Sequence, residues 1–227
     1  MSSRAASARL DHLVVVVPDL GDAMSWLGST LGCRPVAGGR HTGLGTCNAL
    51  IGLGEGRYLE AIAPDRTEPL PIGAIRPFGA DGAIGARLVT WAARVRAIDD
   101  VAMAMKNSGV DLGPPINRSR RRPDGSMLTW CMTPSERDRL DGVIPFLIEW
   151  HTDHEPGVTL PAAASLRYFR LTHPAPHRVR KVLSMLGIED EIEVVDGPAA
   201  LDAEIIGTAG RIHISSSVPD RPKIDWS

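Results

Sequence analysis

The chain has 227 residues and a mass of 24.3 kDa, and 43% of its residues are hydrophobic and 23% charged. These values are typical of a globular protein that folds around its own core, and they exclude a disordered chain. The net charge is only −2, from 25 Lys and Arg against 27 Asp and Glu. Because no basic excess is present to neutralise phosphates, we expect no nucleic acid partner.

The apolar runs and the cysteines indicate the compartment. The longest apolar run, residues 13–18, is too short to cross a bilayer, so no membrane partner is expected. The N-terminal residues lead into no signal-peptide apolar region. Cys33, Cys47 and Cys131 form an odd, widely spaced set without a CxxC motif, which is more typical of a reducing compartment. We therefore expect a cytoplasmic protein.

The first 62 residues predict one compact unit. A run rich in β-branched valines predicts a strand, and apolar residues at helical spacing, followed by Gly32, predict a short helix that begins near Asp19 or Asp22. The predicted elements are a strand at 10–17, a helix at 23–31, a glycine-rich loop at 37–45, and strands at 46–53 and 57–62.

The same order then recurs, as expected for an internal duplication. Residues 88–98, LVTWAARVRAI, align without a gap with residues 10–20, LDHLVVVVPDL. A helix at 99–108 and strands at 126–133 and 143–150 complete the second copy.

A third copy is predicted after a proline-bearing linker at residues 155–164. Its elements are a strand at 166–171, a helix at 176–186 that ends at Gly187, and strands at 192–195, 203–206 and 210–215. The chain therefore divides into paired modules at 8–154, a third, incomplete module at 165–216 and a surface tail at 217–227.

A duplicated β-α-β-β-β module with His on its first strand and Glu on its last resembles the glyoxalase-like branch of the vicinal-oxygen-chelate superfamily. The similar segments are LDHLVVVVPDL, GTCNALIGLGEGRYLEAIAPD and VIPFLIEW. The resemblance implies an α+β fold, in which the repeated modules form a half-open mixed-sheet barrel and a degenerate third module follows at the C-terminus.

The resemblance also implies a divalent metal ion inside the barrel, which would be one of Mg, Mn, Fe, Ni and Zn. Its ligands would be His12, Glu60 and Glu149, and Glu149 would also move protons as the catalytic residue. Thr90 stands where a second His is expected, so loss of the metal is an alternative. His12 as a core histidine, and the glutamates as solvated edge residues, are further alternatives.

Five other residues are candidates for substrate binding. Arg120 and Arg122 belong to a basic run that suits an anionic substrate, although such runs are often only solvated. Trp91 and Trp130 on second-module strands would wall an apolar pocket or pack in the core. His41, in the glycine-rich loop, would reach over the barrel mouth.

Three functions remain open at this point. The first is a metal-assisted lyase or isomerase that acts on a small carbonyl or hydroxy-acid metabolite through an enediolate-like intermediate. The second is a metal-free protein that sequesters a small molecule, in the manner of bleomycin-resistance proteins. Ring-cleaving dioxygenase chemistry is the third, and the missing second His argues against it. A small-molecule substrate is the expected partner. A monomer and a homodimer both remain open, because two complete modules in one chain could close a barrel without a partner.

Overall fold

The computed structural model describes residues 8–216, except residues 42, 68–69, 71–72, 123–124, 136–138 and 153. The tail expected at 217–227 lies outside the described residues. Within them, the elements are β1 (Arg9–Val16), α1 (Leu20–Leu31), β2 (Val36–His41), β3 (Thr46–Gly54), β4 (Arg57–Pro64), a 3₁₀ helix (Pro77–Gly82), β5 (Arg87–Arg94), α2 (Ile98–Asn107), β6 (Ile116–Arg121), β7 (Met127–Met132), β8 (Phe146–Trp150), α3 (Pro156–Thr159), β9 (Ser165–His173), α4 (Pro176–Leu186), β10 (Glu193–Asp196), β11 (Ala200–Ile206) and β12 (Arg211–Ser215).

Eight strands form one mixed sheet in the order β2-β3-β4-β1-β5-β8-β7-β6. The first strands of the two modules, β1 and β5, pair antiparallel at its centre. Each first strand also pairs parallel with the last strand of its own module, β1 with β4 and β5 with β8. The sheet curls until its outer strands β2 and β6 approach one another. The predicted α+β fold with paired modules in a half-open barrel is confirmed.

The strand register confirms the gapless alignment of the two copies. His12 pairs with Ala92, and Val14 pairs with Thr90. A shift of 78 residues exchanges these two pairs, so an approximate two-fold axis carries His12 onto Thr90 and Val14 onto Ala92. The first strands therefore occupy equivalent places in the barrel.

The helices cover the convex side of the sheet. Asp19 caps α1 by accepting a hydrogen bond from the backbone N–H of Asp22, and Gly32 ends that helix in the left-handed conformation that glycine adopts without strain. The buried side of α1 joins a core that also contains Trp91 of β5 and Phe169 of β9. The core of the barrel and the core of the C-terminal unit are thus continuous.

The C-terminal unit has the predicted order of elements but a different strand pairing. Its sheet order is β10-β9-β11-β12, and the first strand β9 pairs parallel with the second strand β10. In the first module, the first strand instead pairs parallel with the last. The unit therefore has the element order of a third copy without the connectivity of the first two.

The prediction of a loop at residues 37–45 is wrong for its first half, because β2 is a strand that pairs with β3. Its glycines serve close packing: a Cβ on Gly38 would lie 2.3 Å from Oδ1 of Asn48. A strand with this composition has no alternating pattern that would reveal it. Among the described residues, no helix is long and apolar enough to cross a membrane.

Candidate active site

The concave face of the sheet encloses a cavity of about 150 Å³. Its lining residues alternate along each strand, since every second side chain points to the same face. The polar members of the lining are His12, His41, Thr46, Asn48, Tyr58, Glu60, Arg118, Arg120 and Ser135. The apolar members include Val14, Leu50, Ile62, Phe78, Ile116, Trp130, Met132, Phe146, Ile148 and Trp150. The cavity has one polar wall, mainly from the first module, and apolar walls elsewhere.

Glu60 is the centre of the polar wall, and its side chain is 12% exposed. His12 Nε2 lies 3.6 Å from one carboxylate oxygen, and His41 Nε2 lies 3.7 Å from the other. Asn48 on β3 donates a hydrogen bond of 2.5 Å to the same oxygen that His41 faces. The hydrogen bond from Asn48 orients the carboxylate, and the two imidazoles flank it without hydrogen-bonding to it.

Asp11 supports His12 from behind and was not a candidate in the sequence. The register of β1 against β5 shifts between Leu10 and His12, so the strand bulges at Asp11 and turns its side chain toward the neighbouring imidazole. Asp11 is fully buried and accepts hydrogen bonds from Nδ1 of His12, at 2.6 Å, and from Nε1 of Trp150, at 3.1 Å. With Nδ1 so engaged, the other ring nitrogen of His12 faces Glu60. An aspartate before an apolar strand is too common for its sequence to reveal this role.

Burial also shifts the pKa values of two other polar side chains, Tyr58 and His41. It raises the pKa of Tyr58 well above its ordinary value, and Asp11 and Glu60 act in the same direction, so this hydroxyl stays protonated. Burial lowers the pKa of His41. The negative charge of Glu60 acts against this shift, and the positive charge of Arg120 acts in the same direction. His41 is therefore neutral near pH 7. Its Nδ1 lies 2.9 Å from the hydroxyl of Thr46, which orients the ring.

Arg120 enters the cavity from β6 on the opposite side of the barrel opening. The residue is only 8% exposed, and its Nη1 has no hydrogen-bond partner. Arg118 also lines the cavity but is exposed. Burial lowers the pKa of Arg120, and the negative charge of Glu60 counteracts that effect. The cavity thus contains one deeply placed cation with free hydrogen-bonding capacity.

The prediction that Glu149 shares this cavity is wrong. Its carboxylate accepts hydrogen bonds from the backbone N–H groups of Ala97 and Ile98, at 2.9 and 3.0 Å, at the start of α2. The neighbouring residues Ile148 and Trp150 line the cavity, so Glu149 lies on the opposite face of β8. Because Val14 pairs with Glu60 and Ala92 pairs with Phe146, the true equivalent of Glu60 in the second module is Phe146.

Trp91 and Arg122 also lie outside the cavity, contrary to prediction. Trp91 is fully buried on the convex face, where its Nε1 donates to the carbonyl of Val143 and its ring packs edge-on against Phe169. Arg122 donates to the backbone carbonyl of His154. Of the predicted site residues, the structure brings together His12, His41, Glu60, Arg120 and Trp130.

The expected metal ion does not fit the residues at the four related positions. His12 and Glu60 carry donor atoms, but the Thr90 hydroxyl accepts a hydrogen bond from buried Arg139, and Phe146 has no donor atom. In the part of the chain that the structure describes, no group of three or more His, Cys, Asp or Glu side chains is arranged to hold a metal ion. The metal prediction therefore rests on the resemblance alone.

A barrel of two β-α-β-β-β modules with a cavity on its concave side is the architecture of the vicinal-oxygen-chelate fold. The family model described as "Glyoxalase-like domain" matches residues 10–187, and the chain belongs to this family. No match is found among curated protein sequences.

The chain resembles several solved structures, and the first one below supports the fold. A hypothetical protein from Staphylococcus aureus shares 16% identity and a TM-score of 0.59, over 92% of this chain and 85% of its own. Methylmalonyl-CoA epimerase from Mycobacterium tuberculosis shares 19% identity and a TM-score of 0.44, over 66% of this chain and 91% of its own. A hypothetical protein from Bacillus halodurans C-125 shares 20% identity and a TM-score of 0.46, over 66% of this chain and 99% of its own. At 16% identity, the similarity to the Staphylococcus aureus protein shows the fold alone.

Proposed function

We propose that the chain is an isomerase or lyase of small metabolites in which Glu60 removes a proton from a carbon next to a carbonyl or carboxylate group. The observation that carries this proposal is the position of Glu60 on the cavity wall, where Asn48 donates a hydrogen bond to it and His12 and His41 flank it. A carboxylate that lines a mostly apolar cavity and is oriented by a hydrogen bond is suited to general base catalysis.

The step balances within the cavity. A Glu60 oxygen accepts the proton, and the C–H electron pair forms the C=C bond of an enolate while the carbonyl electron pair moves onto oxygen. Arg120 then faces the developing negative charge, and its unpartnered Nη1 is free to donate a hydrogen bond to it. With an α-hydroxycarbonyl substrate, return of the proton from Glu60 to the former carbonyl carbon, while the hydroxyl proton moves to the other oxygen, completes an isomerisation. Departure of a group from the neighbouring carbon completes an elimination.

Solvent exchange tests this step without knowledge of the final product. The protein is incubated in D₂O with a panel of small 2-oxo and 2-hydroxy acids, and loss of the α C–H signal is followed by proton NMR. We expect exchange with at least one compound, and a loss of about 10²-fold or more in Glu60→Gln, the usual contribution of a general base. Glu55→Gln is the matched control, because Glu55 is an exposed residue of the turn that precedes β4. Exchange that is equal in wild type and Glu60→Gln would refute the role of Glu60.

A metal-free binding protein is the second candidate function. The presence of Phe146 and Thr90 at two positions where the resemblance implies ligands favours it, because these residues leave an apolar wall. In that case, the same panel would show tight binding of a ligand with no exchange at any carbon, and Glu60→Gln would retain the ligand.

A further inference from the structure

We infer that the cavity binds a small monocarboxylate with a flat apolar body about as large as one aromatic ring, and that Arg120 binds its carboxylate. This inference names the substrate class of the proposed function and rests on it for the identity of the site.

The first observation is the unsatisfied state of Arg120. A buried guanidinium nitrogen without a partner has lost its hydrogen bonds to water without replacing them, so such groups are rare unless something outside the chain completes them. Nη1 of Arg120 lacks a hydrogen-bond partner, and none of the ion pairs among the described residues includes Arg120. The neighbouring carboxylate of Glu60 already contacts His12, His41 and Asn48. An incoming carboxylate would supply the missing acceptor in the geometry that a guanidinium prefers.

The charge of the cavity limits the ligand to one negative charge. Glu60 lies close enough to influence Arg120 electrostatically, and Arg118 is exposed. A dianion such as a phosphate monoester would meet the charge of Glu60 with only one buried cation to offset it. A monocarboxylate adds a single negative charge beside Arg120. A neutral carbonyl would accept one hydrogen bond from Arg120 but lacks the charge and the paired oxygens that strengthen the contact of a carboxylate with a guanidinium.

The walls determine the rest of the ligand. A cavity of about 150 Å³ has the volume of an apolar cavity that accommodates benzene. The rings of Trp130 and Trp150 lie 5.7 Å apart and are tilted by 51°, and Phe146 lies edge-on to His12. These three rings line the same cavity as Arg120, so a flat ring would contact them while its carboxylate faces Arg120.

Binding of matched probes by isothermal titration calorimetry tests the inference. Phenylacetate, phenylacetamide, acetate and phenyl phosphate are titrated into the full chain. We expect phenylacetate to bind at least tenfold more tightly than each of the other three. We expect Arg120→Gln to lose at least tenfold in phenylacetate affinity, and Arg120→Lys to recover part of the loss because it restores the charge without the planar fork. Glu60→Gln should tighten phenylacetate binding severalfold, since it removes the neighbouring negative charge.

Control variants separate contact from long-range attraction. Arg167→Gln, on the distant sheet, should bind phenylacetate as wild type does, because Arg167 is 66% exposed. A loss in Arg118→Gln as large as that in Arg120→Gln would overturn the direct contact. Equal binding of phenylacetamide, tighter binding of phenyl phosphate, or full affinity in a folded Arg120→Gln would overturn the substrate class.

Binding needs no proton transfer, so Arg120-dependent binding without solvent exchange would refute the proposed function alone. Glu60-dependent exchange in wild type, together with no measurable binding of phenylacetate, would refute this inference alone.

Discussion

Replacing Glu149 distinguishes a helix cap from a catalytic group. Helix α2 begins after Ala97, which adopts a left-handed conformation and provides no side-chain cap of its own. The two hydrogen bonds from Ala97 and Ile98 to Glu149 therefore satisfy backbone N–H groups at a helix start, where a negative charge is also favourable. Glu149→Ala removes both bonds at once.

The expected cost follows from known cap energies. Loss of a cap costs about 0.5–2 kcal/mol, and hydrogen bonds to charged groups lie toward the upper end, so we expect a loss of about 2 kcal/mol in Glu149→Ala. For a chain of this size, 1 kcal/mol changes the melting temperature by about 2–4 °C, which gives a decrease of about 4–8 °C. Glu149→Gln keeps an acceptor but loses the charge, so it should lose about half as much.

Thermal unfolding followed by circular dichroism measures the effect, and phenylacetate titration measures the cavity. Glu191→Ala is the control, because Glu191 is an exposed glutamate of the C-terminal unit. We expect Glu149→Ala to melt earlier and to bind phenylacetate as wild type does at a temperature where both are folded. An unchanged melting temperature together with lost ligand binding would refute the capping role and restore Glu149 to the site.

Three further outcomes follow from the cavity. Arg120→Met should raise the stability by about 1 kcal/mol while ligand binding is lost, because it removes an unpartnered buried donor; a clear destabilisation would mean that Arg120 is structural. The double variant Thr90→His/Phe146→Glu places donors at all four related positions, so it should take up divalent metal, measured by mass spectrometry, well beyond the wild-type level; equal uptake would contradict the register. His41 has a pKa lowered by burial from 6.5, so the unfolded chain binds its proton first as the pH falls. Stability should decline below about pH 6.5 and less steeply in His41→Gln, and parallel profiles would exclude this contribution.

Much of the fold was predictable because the duplication constrains it. The alignment of residues 10–20 with 88–98 correctly paired His12 with Thr90 as equivalent positions, since the first strands have no insertion between their copies. The helix at Pro176–Leu186 also has the predicted bounds, because proline and Gly187 mark its two ends. Local signals of this kind need no knowledge of strand pairing.

The position of Glu149 was not predictable, because the last strands of the two modules have no gapless alignment that would match their residues. The prediction matched one glutamate with another, whereas the register matches Glu60 with Phe146. The two alternatives differ by three residues, and an odd shift moves a side chain to the other face of the sheet. The bulge at Asp11 likewise depends on pairing with β5 and leaves no mark in the sequence.

The unequal lining of a two-fold barrel has a stereochemical consequence. If two identical modules faced one another, each wall would carry the same base, and a bound carbon would meet a proton acceptor from either side. Here, Glu60 lies on one wall and Phe146 takes its place on the other. A flat ligand oriented by Arg120 then presents only one of two prochiral hydrogens to the carboxylate. This inequality is possible because both copies belong to one chain, so each half can change without the other. As a result, deuterium would enter a methylene carbon of the ligand from one face only.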